Sequence, residues 1–437
     1  MTNAATATAA PAETKRFSMK PIIQVGAGNA LEIYDFMIYG YYARYIAQTY
    51  FPSDNEHVSL MLSLMTFAFG FLARPVGAIV LGSYTDRHGR RAGLIMALGL
   101  MSLGIIAVAC TPSYASIGIA APIIVLIGRL LQGFSAGAEL GGVVVYLAEI
   151  AQPNRRAFYT CFQVCSQQFA VMTASIAGIL LLYSLSPAEM SAWGWRLPLL
   201  FGCAVIPVLF WLRASLAETE VFARKKRTPS LGEICSGLIT GWRVILRCMG
   251  LSAMAVVTSQ AITTYAPTFI KALKLGDAVG FVTLFFVGVT ILGSLLLASL
   301  IADRVNRRSM LIVVTSTAML TAYPLLSWLA SDPTIFKFVV FELWFSVMYA
   351  SYSAAQVPTM VETVPAQSRT AGYSFAQAVA AAILGGFTPA IATWLNHTFQ
   401  SNAMVGLWLA IAAGISLVSA LTLDGKAVRE GQSAPLH

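Results

Sequence analysis

The sequence predicts an all-α integral membrane protein, with twelve transmembrane helices arranged as two six-helix, pseudo-symmetric halves. Three observations predict it. The 437-residue chain is 57% hydrophobic and 11% charged, too apolar for a soluble domain of that size. Apolar runs of about 20 residues recur along it, each long enough to cross a bilayer as a helix. Finally, the polar segment Gly82-Ser-Tyr-Thr-Asp86-Arg87-His-Gly89-Arg90-Arg91 returns in weaker form half a chain later. The second copy is Ser299-Leu-Ile-Ala-Asp303-Arg304-Val-Asn306-Arg307-Arg308, as expected of a chain built from two repeats.

Taken in order, the runs place spans 1 to 6 at 21–47, 58–84, 92–112, 119–149, 157–183 and 197–214. Spans 7 to 12 fall at 242–270, 278–301, 309–330, 335–360, 367–395 and 402–423. The domain organisation expected from them is a polar tail (1–19), a first bundle (20–214), a linker (215–241), a second bundle (242–423) and a tail (424–437). The first tail has no apolar stretch before a cleavage site and reads as disordered rather than as a signal peptide. The linker carries Glu218, Glu220 and the run Arg224-Lys-Lys-Arg227.

Orientation follows from the basic residues. Of 28 Lys and Arg, 21 fall on the side that twelve spans give to both termini, five on the other and two, Arg74 and Arg129, inside spans. The richer side is expected to be cytoplasmic. The net charge of +9 is thereby accounted for by topology and lipid attraction rather than by nucleic-acid binding. Six cysteines lie in or beside spans without zinc-type spacing, and read as small apolar residues. No metal site is expected. No nucleophile–base set or phosphate loop is evident either, so an enzyme is not expected.

Charges and amides inside the bilayer are expensive, and they are the candidates for function. Span 1 has Asn29, Glu32 and Asp35, with the two carboxylates three residues apart on one helix face. Span 2 has Arg74, followed by Pro75. Span 4 has Arg129, Gln132, Ser135 and Glu139, and span 5 has Gln163, Gln167 and Gln168. Span 7 has Tyr265, and span 10 has Tyr349, Tyr352 and Gln356 at spacings of three and four. His57, His88 and His397 map to loops or helix ends. A proton carried through the middle is therefore expected to ride on Glu32, Asp35 or Glu139.

The loop segment, G-x-x-x-D-R-x-G-R-R, resembles the span 2–3 loop of major facilitator transporters. Several further segments are similar to the metabolite:proton symporter family within that group. They are Asn29-x-x-Glu32-x-Tyr34-Asp35-Phe36-x-x-Tyr39-Gly40, Arg74-Pro75-x-Gly77, the stretch from Gly128 to Gly142, and Trp193-Gly194-Trp195-Arg196-x-Pro198. Phe158-Tyr-Thr160, Ser166-Gln167-Gln168 and Ser215-Leu-x-Glu218-Thr219-Glu220 resemble its citrate and tricarballylate branch. The likeness covers nearly the whole chain and is denser in its first half.

This resemblance implies the major facilitator fold and proton-driven import of a small carboxylate, with no cofactor, by a monomer in a bacterial-type inner membrane. Its partners would be the carboxylate, protons and lipids. Asp35 and Arg129 match the places where proton-linked sugar porters set an acid against an arginine. A nearby arginine favours the charged carboxylate and separation favours protonation, so the pair could load and release a proton. A static pair joining spans 1 and 4 is the alternative. Glu32 and Glu139 are competing carriers or helix-packing groups.

A tricarboxylate needs a cation, and the guanidinium fork matches a carboxylate. Arg74 and Arg129 are candidates, with Tyr34, Gln132, Gln163, Gln167, Tyr265, Tyr349, Tyr352 and Gln356 as neutral partners. The loop motif implies a cytoplasmic gate of Gly82, Asp86, Arg87, Gly89, Arg90 and Arg91. Asp86 would sit against the start of span 11, and Arg87 or Arg90 would pair with Glu149. The second copy, with Asp303 and Arg304 but without both glycines, is expected to hold more loosely or to be merely structural. Substrates kept open are other carboxylates and zwitterions such as betaine or proline. A non-transporting sensor is the third reading.

Overall fold

A computed structural model describes residues 19–88, 90–152, 154–214, 231–364 and 369–433. These residues form twelve helical spans. Span 1 runs Met19–Tyr41 and, past a break at Tyr42, Ala43–Tyr50. Span 2 joins Glu56–Leu72 to Arg74–His88, followed by spans 3 (Arg90–Cys110) and 4 (Ala120–Ile150). Spans 5 and 6 are Arg156–Ser184 and Leu197–Ala214. In the second half, span 7 is Trp242–Ile262 with Ala266–Ala272, and span 8 is Asp277–Ala302. Spans 9, 10 and 12 are Arg307–Ser331, Ile335–Thr363 and Met404–Leu421. Span 11 is interrupted: Arg369–Ala380, a π-turn at Ala381–Gly385, then Thr388–Phe399.

Ten of these helices are long and apolar enough to cross a membrane, and span 3 adds the shorter apolar stretch Ile95–Cys110. Span 1 falls short because Gln24, Asn29, Glu32 and Asp35 interrupt it, and of these Asn29, Glu32 and Asp35 are buried against neighbours rather than facing lipid. Large apolar side chains such as Leu180, Leu297 and Leu320 remain exposed, which suits a lipid-facing surface.

Within the first half, spans 2 and 4 meet along glycines. A side chain at Gly133 would run into the Gly70 carbonyl, and one at Gly77 into that of Phe134. Such close approach is the usual use of small residues between membrane helices. It sets Arg74 of span 2 and Arg129 of span 4 beside each other. Gly137 belongs to the same seam, against the Arg74 carbonyl, whereas Gly142 has nothing within 4 Å of a notional side chain.

The halves touch through spans 5 and 8, spans 5 and 10, and span 11 with spans 2 and 4. A short helix, Gly425–Ser433, follows span 12 and lies against spans 9 and 10 on the basic face. The linker helix Leu231–Thr240 precedes span 7, while Glu218, Glu220 and Arg224 to Arg227 lie outside the described residues.

Candidate functional site: a charged cavity between the halves

A cavity of about 110 Å³ lies at the seam. From the first half it is lined by Phe36, Phe71, Arg74, Gln163, Gln167 and Gln168. From the second half come Gln260, Tyr349, Ser353, Gln356, Tyr373 and Gln377. The π-turn of span 11 contributes Ala381 and Gly385, and such turns often mark functional positions in helices. Sequence reasoning named Arg74, Gln163, Gln167, Tyr349 and Gln356 of this set. It missed the polar wall of spans 7 and 11. Gln260 and Gln377 carry the signal that could have found them, an amide inside a long apolar run.

Four predicted substrate residues point elsewhere. Tyr34 donates to the Pro198 carbonyl at 3.1 Å and so faces span 6. The Tyr352 hydroxyl donates to the Leu251 carbonyl at 2.6 Å, tying span 10 to span 7. Tyr265 stacks on Phe269 with ring centroids 5.8 Å apart. Gln132 lies behind the cavity, where its Oε1 accepts from Arg129 Nη1 at 2.5 Å. Each belongs to a span that does reach the cavity, but none of the four lines it.

The charges form two adjacent pairs. Arg129 Nη1 lies 3.3 Å from Asp35 Oδ2, both buried. Arg74 Nη2 lies 3.5 Å from Glu32 Oε1. The Phe36 ring sits between the two guanidinium groups, 4.4 Å from that of Arg74 and 4.3 Å from that of Arg129. Phe71 and Tyr39 face them at 4.1 and 4.5 Å. Aromatic faces of this kind offset part of the cost of burying a cation. Arg129 is kept off the cavity wall, while Arg74 is on it. Nε and Nη2 of Arg74 have no hydrogen-bond partner among the described residues, which leaves donors for a ligand. Asn29 is a strut, donating to the Gln163 carbonyl (3.2 Å) and Ser166 Oγ (2.7 Å). Glu139 is buried in span 4 and does not line the cavity. One buried acid escaped the sequence reading altogether: Glu342, in span 10.

On the basic face, the second copy of the loop motif ties the halves together. Asp303 accepts from the backbone N–H groups of Ala157 and Phe158 at 2.9 and 3.0 Å. It thereby caps the positive end of span 5. Arg307 donates to Asp303 (3.0 Å) and Glu362 (2.8 Å), and Arg156 donates to the same Glu362 oxygen at 3.0 Å. Burial pushes the Asp303 carboxyl up, against the pull of the two N–H groups and of Arg307. The second copy is therefore a close-fitting contact between the halves. Its arginine is Arg307, fully buried, whereas Arg304 is exposed. Of the first copy, the side chains of Gly82, Asp86, Arg87, Gly89, Arg90 and Arg91 lie outside the described residues. Glu149 is exposed on the last turn of span 4, and both arginines expected to pair with it are among those undescribed residues.

The opposite face is closed too. His57 of span 2 and His397 of span 11 stack 4.0 Å apart, and Tyr41 and Tyr42 pack on Phe281.

A polar chamber between two helical bundles that touch near both faces belongs to a membrane carrier, which must part its halves alternately to let anything through. The chain belongs to the Major Facilitator Superfamily, whose sequence model matches residues 26–389. It is 43% identical over 414 residues to a protein of Salmonella typhi named citrate-proton symporter, covering 94% of this chain and 95% of that one. A citrate-proton symporter of Klebsiella pneumoniae is 44% identical over 399 residues, 91% of this chain and 90% of the relative. Among solved structures, a D-xylose-proton symporter superposes with a TM-score of 0.73 at 16% identity, over 92% of this chain and 96% of its own. That last likeness concerns the fold.

Proposed function

We propose that this protein imports citrate, or a closely related tricarboxylate, together with protons across a bacterial inner membrane by alternating access. The basic face is the cytoplasmic one, with both termini on it. The observation that carries the reading is Arg74, a cation on the cavity wall with unused donors. Around it, neutral amides and hydroxyls supply hydrogen bonds to the remaining carboxylates and the hydroxyl. The names of the relatives point the same way.

In this mechanism Asp35 takes up a proton when Arg129 moves away from it and gives it up when the pair closes. Arg74 exchanges Glu32 for a substrate carboxylate. At about 110 Å³ the closed cavity is smaller than the roughly 300–1,000 Å³ of usual ligand pockets, so entry requires the halves to part. The Asp303 latch supports a matching role for the first copy of the motif. By the pseudo-symmetry of the halves, Asp86 would cap span 11 as Asp303 caps span 5, with Arg87, Arg90 and Glu149 alongside.

The Glu32–Arg74 pair offers both signs of charge, the one feature that favours a zwitterion such as betaine. Uptake of labelled citrate into proteoliposomes decides between the two. Gradient-driven uptake blocked by tricarballylate and untouched by betaine is the expected result. Entry of betaine with no entry of citrate would overturn the substrate assignment.

A further inference from the structure

Glu342 lies about 10 Å into span 10 from its start at Ile335. It is fully buried, and neither carboxyl oxygen has a hydrogen-bond partner among the described residues. A carboxylate left unpaired in such a place costs several kcal/mol or more. The site therefore disfavours the charged carboxylate.

Two further observations give a proton somewhere to come from and somewhere to go. Tyr41 of span 1 packs on Phe281 of span 8 at the seam between the halves, and the hydroxyls of Tyr41 and Tyr42 have no hydrogen-bond partner among the described residues. Both tyrosines line a cavity of about 20 Å³ that Lys271 borders at the face opposite the basic one. That is room for about one water. In the other direction, Glu342, Ser346, Tyr349, Ser353 and Gln356 follow at spacings of four, three, four and three, one stripe of the helix. The last three of that set belong to or reach the central cavity.

Other ionisable groups do not compete. Residues 278–302 of span 8 contain none. In the same half of the membrane, Tyr183 of span 5 and Tyr323 of span 9 are exposed. Span 7 contributes Tyr265, stacked on Phe269, and Lys271, over the Tyr45 ring.

We propose that Glu342 is a second proton-carrying site, serving the second half as Asp35 serves the first. With the opposite face open, a hydronium ion gives up a proton and becomes water, and a Glu342 carboxylate oxygen gains that proton as its O–H bond forms. With the basic face open, the Glu342 O–H bond breaks and the proton leaves along the stripe to cavity water. The inference rests on the proton-coupled reading above.

The test compares wild type with Glu342→Gln in proteoliposomes, the membrane voltage clamped at zero. Citrate accumulation is measured against the size of the pH gradient. Removing one co-transported proton lowers accumulation by about tenfold per pH unit of gradient, while gradient-free citrate exchange stays within about threefold. An unchanged gradient dependence overturns the proposal, as does equal loss of exchange and accumulation. Infrared spectra of the purified protein, taken without substrate, are expected to show a protonated-carboxyl band that Glu342→Gln lacks. Absence of that difference also overturns it, even if wild type moves no citrate, an outcome that would sink the citrate reading instead. Should Glu342→Gln fail to fold, Glu342→Asp keeps the carboxyl and is expected to shift the pH profile of uptake.

Discussion

The two halves share a fold and differ in how they treat charge. In the membrane-buried part of the first, Asp35, Glu32, Arg74 and Arg129 sit in two contacting pairs around Phe36. The second half presents the cavity with amides and hydroxyls, among them Gln260, Tyr349, Gln356 and Gln377. On the basic face the described charges are reversed in weight, with Asp303, Arg307 and Glu362 all belonging to the second half. Among the described residues, the first half holds the paired charges at depth, while the second supplies neutral contacts, the lone buried acid Glu342 and most of the surface latch.

The largest effect should come from the deepest pair. Asp35→Asn is expected to abolish uphill accumulation of substrate while leaving exchange at least partly active, because the amide keeps the shape and loses the proton. Comparing gradient-driven uptake with counterflow separates the two. Equal loss of both would make Asp35–Arg129 a structural tie between spans 1 and 4.

Next in size is the contrast across the cavity. Arg74→Ala should weaken tricarboxylate binding roughly tenfold or more, since bonds to charged groups are worth about 1.5–3 kcal/mol. Gln377→Ala, opposite it, removes a neutral partner and should cost only a few-fold. Binding isotherms for citrate and a dicarboxylate check this, the Arg74 variant losing more with the former. Equal losses at Arg74 and Gln377 would erase the proposed division between charged and neutral walls.

The latch gives a third, smaller effect. Glu362→Gln leaves Arg156 and Arg307 buried without their shared carboxylate, which should bias the halves to part on the basic face. Spin labels placed on that face in spans 5 and 10 would then show a longer distance, and uptake would slow by several-fold. An unchanged distance distribution would reduce the network to local support of span 9.

What was legible in the sequence follows the same division. Spans and the paired motif were readable because a bilayer demands about 20 apolar residues per crossing and because the motif residues recur at fixed spacing. The buried charges of the first half stood out against apolar surroundings, and Asp35 with Arg129 and Glu32 with Arg74 do lie together. The neutral wall was harder to read. A glutamine or tyrosine in a helix can serve the cavity or a neighbouring backbone, and periodicity does not say which face turns inward. Tyr352 and Gln356 show the difficulty, one turn apart on span 10: the first is tied to Leu251 and the second reaches the cavity. The latch was hard to read for another reason. Loss of the motif glycines at Ser299 and Asn306 suggested a loose joint, yet Ser299 packs fully buried and Asn306 caps span 9 through Arg308 N at 3.0 Å.

The smallest effect separates packing from binding. Tyr34 stands in the motif beside Asp35, and from the sequence it looked like a ligand contact. Its hydroxyl instead donates to the Pro198 carbonyl, and its ring meets Phe201 edge-on at 5.8 Å. A proline follows every rule of a helix start at span 6, and the tyrosine secures that start from span 1. Tyr34→Phe removes one hydrogen bond and leaves the ring contact, at a cost of about 1 kcal/mol. The expected outcome is a thermal midpoint lower by a few degrees or less, with citrate affinity and proton coupling unchanged. If instead affinity falls while the melting curve stays put, Tyr34 must turn toward the cavity during transport, and the first half would then contribute a neutral contact of the kind assigned here to the second.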